Sequence, residues 1–388
     1  MSSIKTVVDW LTDGARSAPR PEGVLAELCQ RMVRCGVPLW RVAVFVTTLH
    51  PDIAGRRFIW HSASGISTDE ALFELFETED FKSNPIAAVY AGRAPLRRRL
   101  FDPDCPDDFP FLRELRAEGV TDYVAFPLPF TDGTVHVATW TTRQPRGFTA
   151  GQFADIESII PPLTRVAEIR ALRRTATNLL DTYVGRHAGE RILAGKIRRG
   201  YVEEIRAAIW LSDMRGFTAL SERLPPHDLV DLLNRYFDCQ VPAIIEQGGE
   251  VLKFIGDGLL AIFPLSAHGD DASAVCERAL TSARKARTFV DALDAPLCVA
   301  NKDAVRFGLA LHIGQVKYGN IGGGNRLDFT CIGPAVNLAA RLEKVASQLG
   351  RTVVASEEFV SHCPDEFVPL GEFSVAGFSN AQPVFGLK

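Results

Sequence analysis

Two aspartates stand at the ends of apolar strands: Asp213 in Leu211-Ser-Asp213-Met-Arg-Gly-Phe-Thr218, and Asp257 in Lys253-Phe-Ile-Gly-Asp257-Gly258. The first follows Ile209-Trp210-Leu211 and precedes Gly216, Phe217 and Thr218, so its carboxylate lies beside a helix start whose free N–H groups favour phosphate. The second occupies the tip of an expected hairpin, Glu250 to Phe254 and Leu259 to Phe263. Taken singly, either aspartate reads as an ordinary turn residue. Together, carboxylates at adjacent strand ends make a hard-oxygen site suited to Mg²⁺ carrying a polyphosphate.

These two segments, with Thr330-Cys-Ile-Gly-Pro-Ala-Val-Asn337-Leu-Ala-Ala-Arg341, resemble the catalytic domain of class III nucleotidyl cyclases over residues 203 to 388. The resemblance implies that Asp213 and Asp257 hold two divalent ions per site, Mg²⁺ or Mn²⁺, against the triphosphate of ATP. Gly216, Phe217 and Thr218 would face the same substrate. Lys253 and Thr330 would select the purine, Asn337 would position the ribose, and Arg341 would contact the phosphates in the transition state. In the family the aspartates come from one subunit and the other four residues from its partner, which implies a head-to-tail homodimer with two equivalent sites. The product would be 3′,5′-cyclic AMP, with pyrophosphate leaving.

The residue chemistry agrees with those roles. A lysine at 253 donates to adenine N1, whereas guanine carries a proton there, so ATP is favoured over GTP. The Thr330 hydroxyl can accept from the adenine 6-amino group, and the Lys/Thr pair is similar to the subclass that includes soluble adenylyl cyclases. Asn337 and Arg341 are four apart and share one helix face, and a guanidinium fork suits phosphate geometry. One position departs from the pattern: in Phe373-Ser-Val-Ala-Gly-Phe378, Ala376 stands where the family places a phosphate-binding lysine. Lys317, Arg326 and Lys344 are the candidate substitutes. Ala376 motivates one alternative, a nucleotide-binding signalling protein with weak or no turnover; a guanylate cyclase is the other, and Lys253 argues against it. The run Gly319-Asn-Ile-Gly322-Gly-Gly324 opens no helix, so it reads as a bending loop and not as a dinucleotide motif.

The elements that must carry these residues are an α+β set. Strand Ile205 to Asp213 precedes a helix from about His227 to Gln247, the Glu250 to Phe263 hairpin, and a helix from Asp270 to Leu293. Strand Val305 to Ile313, pieces at Val316 to Tyr318 and Asp328 to Ile332, and a helix from Pro334 to Leu349 complete a β-α-β-β-α-β, ferredoxin-like order over 201–388. Residues 1–150 alternate short strands (Arg41 to Leu49, Arg57 to Ser62, Asp122 to Phe130, Val135 to Thr141) with helices such as Pro21 to Cys35, where Val24, Leu25, Leu28, Met32 and Val33 form an apolar side. Thr131-Asp-Gly133 reads as a hairpin turn. This antiparallel sheet with helices resembles the GAF class of sensor modules and suggests an unidentified small-molecule ligand, the alternative being a dimerisation domain with no ligand. Trp60, His61 and Trp140 are its pocket candidates, though such residues are more often core. Residues 151–200 read as a helical dimerisation linker, because Ile169, Leu172, Ala176, Leu179 and Tyr183 repeat at coiled-coil spacing; two heptads are short for a coiled coil, and the alternative is a helix packed on its own domain.

Composition bounds the partners. Across 388 residues the apolar fraction is 46%, the charged fraction 23% and the formal net charge −4, which offers no basic footprint for nucleic acid. No apolar run is long enough to span a bilayer, and the N-terminus lacks a signal-peptide h-region, so the expected location is the cytoplasm. The eight cysteines show no C-x-x-C pairing and read as free buried thiols.

Overall fold

A computed structural model describes residues 3–51, 53–265, 271–301, 305–324 and 326–388, with the backbone alone for 294–301. The chain divides into two units, Met1–Leu179 and Leu180–Lys388.

The first unit contains α1 (Ile4–Thr12), α2 (Pro21–Arg34), β1 (Arg41–Thr47), β2 (Gly55–His61), β3 (Gly65–Ala71), α3 (Glu79–Lys82), α4 (Pro85–Gly92), β4 (Leu96–Arg98), α5 (Pro110–Ala117), β5 (Asp122–Pro129), β6 (Val135–Thr142) and the start of α6 (Ala150–Val184). Its strands pair antiparallel in the order β3-β2-β1-β6-β5-β4. Alternate residues of β5 enter different cores, as a pleated strand requires. Val124, Phe126 and Leu128 pack with Leu28, Met32 and Ile156, while Tyr123 and Ala125 pack with Trp40, Val89 and Leu115. The expected turn is present: Gly133 takes a φ of 87° and donates its N–H to the Phe130 carbonyl. The polar edge strand β3 and the short helices α3 and α4 carry too little apolar periodicity to mark them in the sequence. Val33 departs from expectation, pointing out of the α2 core face at 44% exposure, and β1 stops before Leu49.

The second unit contains α7 (Arg186–Leu193), β7 (Val202–Arg215), α8 (Phe217–Arg223), α9 (Pro226–Asp238), α10 (Val241–Glu246), β8 (Glu250–Ile255), β9 (Gly258–Pro264), α11 (Ala272–Asn301), β10 (Arg306–Gly323), β11 (Arg326–Ile332), α12 (Pro334–Gln348), β12 (Val353–Ser356), α13 (Glu357–Val360), β13 (Phe367–Phe373) and β14 (Gln382–Leu387). Its sheet runs β13-β14-β12-β10-β7-β9-β8, with β11 paired to β10. Within it, β10-β7-β9-β8 is the strand order of the ferredoxin-like β-α-β-β-α-β unit. One face buries Trp210, Met214, Tyr236 and Phe263 with α9–α11. The other buries Ile209, Leu260, Ala335 and Ala339, bringing α12 onto the sheet.

Three readings change. The expected helix His227 to Gln247 is two helices, because Pro242 in the first turn of α10 lacks the N–H that would continue α9. Val316 to Tyr318 is no separate piece but the middle of β10, which pairs with β7 from Arg306 to Gly319. Most of the glycine run therefore lies in a strand, and only Gly324, with a φ of 59°, sits in the turn that follows; a Cβ on Gly319 would stand 2.2 Å from the Tyr201 carbonyl oxygen, so close backbone approach is what glycine permits there. Position 270, the expected start of α11, lies outside the described residues. Seven cysteines are free, with Cys35 and Cys105 only half-buried; the Cys298 side chain lies outside the described residues.

Candidate active site

Asp213 lies near the end of β7, opposite Gly308 of β10. Its neighbours Ser212 and Met214 are buried on the α9–α11 side, so strand alternation turns Asp213 and Arg215 toward α12. Asp257 occupies the two-residue β8–β9 turn, where Ile255 pairs with Gly258 and Gly256 takes a φ of 64°. Gly258 lets the turn close onto β7: a Cβ there would lie 3.0 Å from the Ser212 carbonyl oxygen and 3.3 Å from Asp213 Oδ1. The two carboxylates are consequently within hydrogen-bond reach. Burial first, and the charge of Asp257 second, push the Asp213 carboxyl up to about 7.

Among the described residues no group of three or more His, Cys, Asp or Glu side chains is placed to hold a metal ion. Two carboxylates nonetheless fit Mg²⁺, which commonly takes one or two and completes its octahedron with water and phosphate oxygens. Like charges held together and half-buried are also the condition that a divalent cation relieves.

Two further charged residues adjoin the pair. Arg215 Nη1 meets Glu343 Oε1 of α12 at 2.9 Å, and both side chains are largely buried. Burial raises the Glu343 carboxyl while Arg215 opposes the rise. Sequence reading missed this pair. Arg215 lay in view two residues after Asp213, but nothing local marks Glu343 as its partner.

Lys253, beside a bulge in β8, places Nζ 2.5 Å from Asp328 Oδ2 on β11, and β11 packs beside β8. Asp328 and Thr330 are two apart on one strand and share a face. The Thr330 hydroxyl is buried and has no hydrogen-bond partner among the described residues. A lysine amine and an unpaired hydroxyl are thus held in one region, with Asp328 as a partner that strand alternation from Thr330 could have revealed.

Asn337 is exposed on α12 and Arg341 half-buried, while Leu338, Leu342 and Val345 face the core. Gly216, with a φ of 73°, caps the short α8, placing Phe217 and Thr218 in its first turn. Ala376 is exposed in a turn closed by Phe378 N–H donating to the Val375 carbonyl. Of the three candidate substitutes, Lys317 borders the same groove of about 560 Å³ as Phe378, Gly333 and Pro334.

Residues 202–385 match the family described as the adenylate and guanylate cyclase catalytic domain. The chain is 32% identical over 175 residues to an adenylate cyclase of Anabaena cylindrica, covering 44% of this chain and 34% of that protein. It is 29% identical over 191 residues to adenylate cyclase 1 of Rhizobium meliloti, covering 48% and 28% respectively. The chain thus spans about a third or less of the length of these relatives. Among solved structures, the adenylyl cyclase CyaB from P. aeruginosa is similar at 27% identity and a TM-score of 0.44, over 48% of this chain and 95% of that one. Over residues 202–385, just under half of the chain, the similarity is to the adenylate and guanylate cyclase catalytic domain.

Proposed function

We propose that the chain is an adenylate cyclase, converting ATP to 3′,5′-cyclic AMP and pyrophosphate at sites shared between two copies of itself. The observation that carries this reading is the acid pair, Asp213 raised to about 7 beside Asp257. Asp213 and Asp257 would hold Mg²⁺ or Mn²⁺, two ions per site. Divalent metal bound there supplies charge neutralisation on the triphosphate and lowers the pKa of the ribose 3′-hydroxyl. The backbone at Gly216, Phe217 and Thr218 borders the phosphates. Lys253 and Thr330 read the adenine, with Asp328 holding the lysine in place. Asn337 orients the ribose, and Arg341 stabilises charge as the pyrophosphate departs.

The dimer is supported by the outward direction of Asn337 on α12, away from its own sheet, and by the helical seam. Ile169, Leu172 and Tyr183 of α6 are 62, 59 and 80% exposed. Such a stripe suits a parallel pairing of two copies through residues 151–200. We read residues 1–150 as a GAF-like regulatory module and 201–388 as the catalytic domain. Among the described residues no helix is long and apolar enough to cross a membrane, in keeping with a cytoplasmic enzyme. A second reading, nucleotide binding with little turnover, is favoured by the exposed Ala376.

Purified protein supplied with Mn²⁺ or Mg²⁺ and either ATP or GTP tests the proposal. Cyclic AMP from ATP, with GTP turned over far more slowly, is the expected result. Absence of cyclic product from ATP, with nucleotide binding still dependent on Asp257, would replace the enzyme with the second reading.

A further inference from the structure

We propose that the first unit binds a small organic anion with an apolar tail, in a cavity between β1–β3 of its sheet and the helices α2 and α6. The cavity measures about 690 Å³, within the range of small-molecule sites. Its walls include Val44, Val46, Phe58, Leu163 and Val166, which favour a hydrocarbon body over a ribose or a hydrated ion. Its polar lining is strongly one-sided: Arg20, Arg56, Arg170, Arg173 and Arg174 against one carboxylate, Glu22.

Some of that charge is already engaged. Arg170 donates to the Pro19 and Ala18 carbonyls at 2.8 and 3.1 Å, and Arg56 Nη2 donates to Glu70 at 2.6 Å. Arg56 Nε, however, is buried and has no hydrogen-bond partner among the described residues, and the same is true of the Thr48 hydroxyl. Both residues line this cavity. A buried N–H and a buried hydroxyl without partners are costly, and an acceptor in the cavity recovers that cost when the two side chains turn toward it. A carboxylate accepts from both, and the guanidinium geometry matches it. The exposed Arg173 and Arg174 supply the attracting field at the mouth. Trp60, His61 and Trp140, the candidates suggested by sequence, are not among the lining residues; Trp60 and Trp140 belong to the core instead.

Calorimetric titration of the full chain with octanoate, octan-1-ol and octylamine tests this. One octanoate per chain is expected, with octan-1-ol at least about ten-fold weaker and octylamine weaker still. Arg56→Met, and separately Arg173→Gln with Arg174→Gln, should each weaken octanoate about five-fold or more and leave octan-1-ol unchanged. The exposed double variant guards against loss of folding as the cause, and thermal unfolding of each variant monitors it. Failure of octanoate to saturate the wild-type chain, equal affinity for octan-1-ol, or unchanged octanoate binding in the double variant and in Arg56→Met overturns the proposal.

Discussion

Arg215 and Glu343 form an ion pair at 2.9 Å that joins β7 to α12. Asp213 lies two residues before the arginine and Arg341 two residues before the glutamate, so one contact ties the strand bearing the acid pair to the helix bearing the outward polar face. Removing one partner strands the other as a buried charge. Glu343→Leu alone should therefore cost about 3 kcal/mol of stability, whereas Arg215→Met with Glu343→Leu should cost clearly less. Urea unfolding of the four corners of this cycle measures it, and a double variant as unstable as the sum of its singles would show the contact to be incidental.

Asp257→Asn should separate stability from activity. It removes the like charge that, after burial, contributes most to raising Asp213. The metal-free protein should then melt about 2–4 °C higher, while cyclase turnover falls about a thousand-fold. A lower melting temperature would mean that the paired carboxylates do not strain the fold.

Lys253, which we propose reads the purine, is held by Asp328 at 2.5 Å. Lys253→Glu should reduce the ratio of ATP to GTP kcat/KM about a hundred-fold. Asp328→Asn should raise KM for ATP several-fold with little change in kcat, since it loosens the lysine without touching the acid pair. Initial rates with both nucleotides distinguish these effects, and an unchanged ratio in the Lys253 variant removes that residue from recognition.

Shared sites, as proposed, would let two dead variants rescue each other. An Asp257→Ala chain mixed equally with an Arg341→Ala chain places both lesions in one site of each heterodimer and none in the other. Random pairing should restore about a quarter of the wild-type activity. No recovery after exchange, verified by a tagged pull-down, would place each site within a single chain.

The first unit should lose stability in acid through His136. Burial lowers its imidazole from 6.5 to about 4, with Asp132 and Glu168 opposing. The unfolded chain thus takes up a proton between those values that the folded chain refuses, so stability present above pH 6.5 is lost as pH falls toward 4. Calorimetric melting across this window should show the decline, and His136→Gln should flatten it.

Much of the site was legible because its chemistry is local in sequence. Asp213 and Asp257 each end an apolar strand, and Asn337 and Arg341 share a helix face at i,i+4. Glu343 was not legible, since its tie to Arg215 depends on how α12 crosses the sheet and no spacing rule encodes that. Asp328 lay between the two levels: alternation along β11 puts it beside Thr330, but only the bulge near Lys253 brings the lysine across. In the fold, glycines at 314 and 319 broke the apolar pattern of β10 and disguised one long strand as two short ones. Trp60 and Trp140 drew attention by residue type, while the arginine-lined cavity is assembled from β1, β2 and α6, whose contributions are far apart in the chain.

Gly308, opposite Asp213 on β10, constrains how this catalytic unit can change over generations. A single methyl group there would stand 1.8 Å from Arg215 Nη2 and 2.7 Å from Glu343 Oε1. Both are side-chain tips held by each other, so a methyl group there would have to displace the guanidinium and disturb the ion pair. Alanine at 308 therefore strikes the same contact that loss of the arginine or the glutamate would remove. The three positions are therefore coupled in descent: which residue any one of them can accept depends on what stands at the other two.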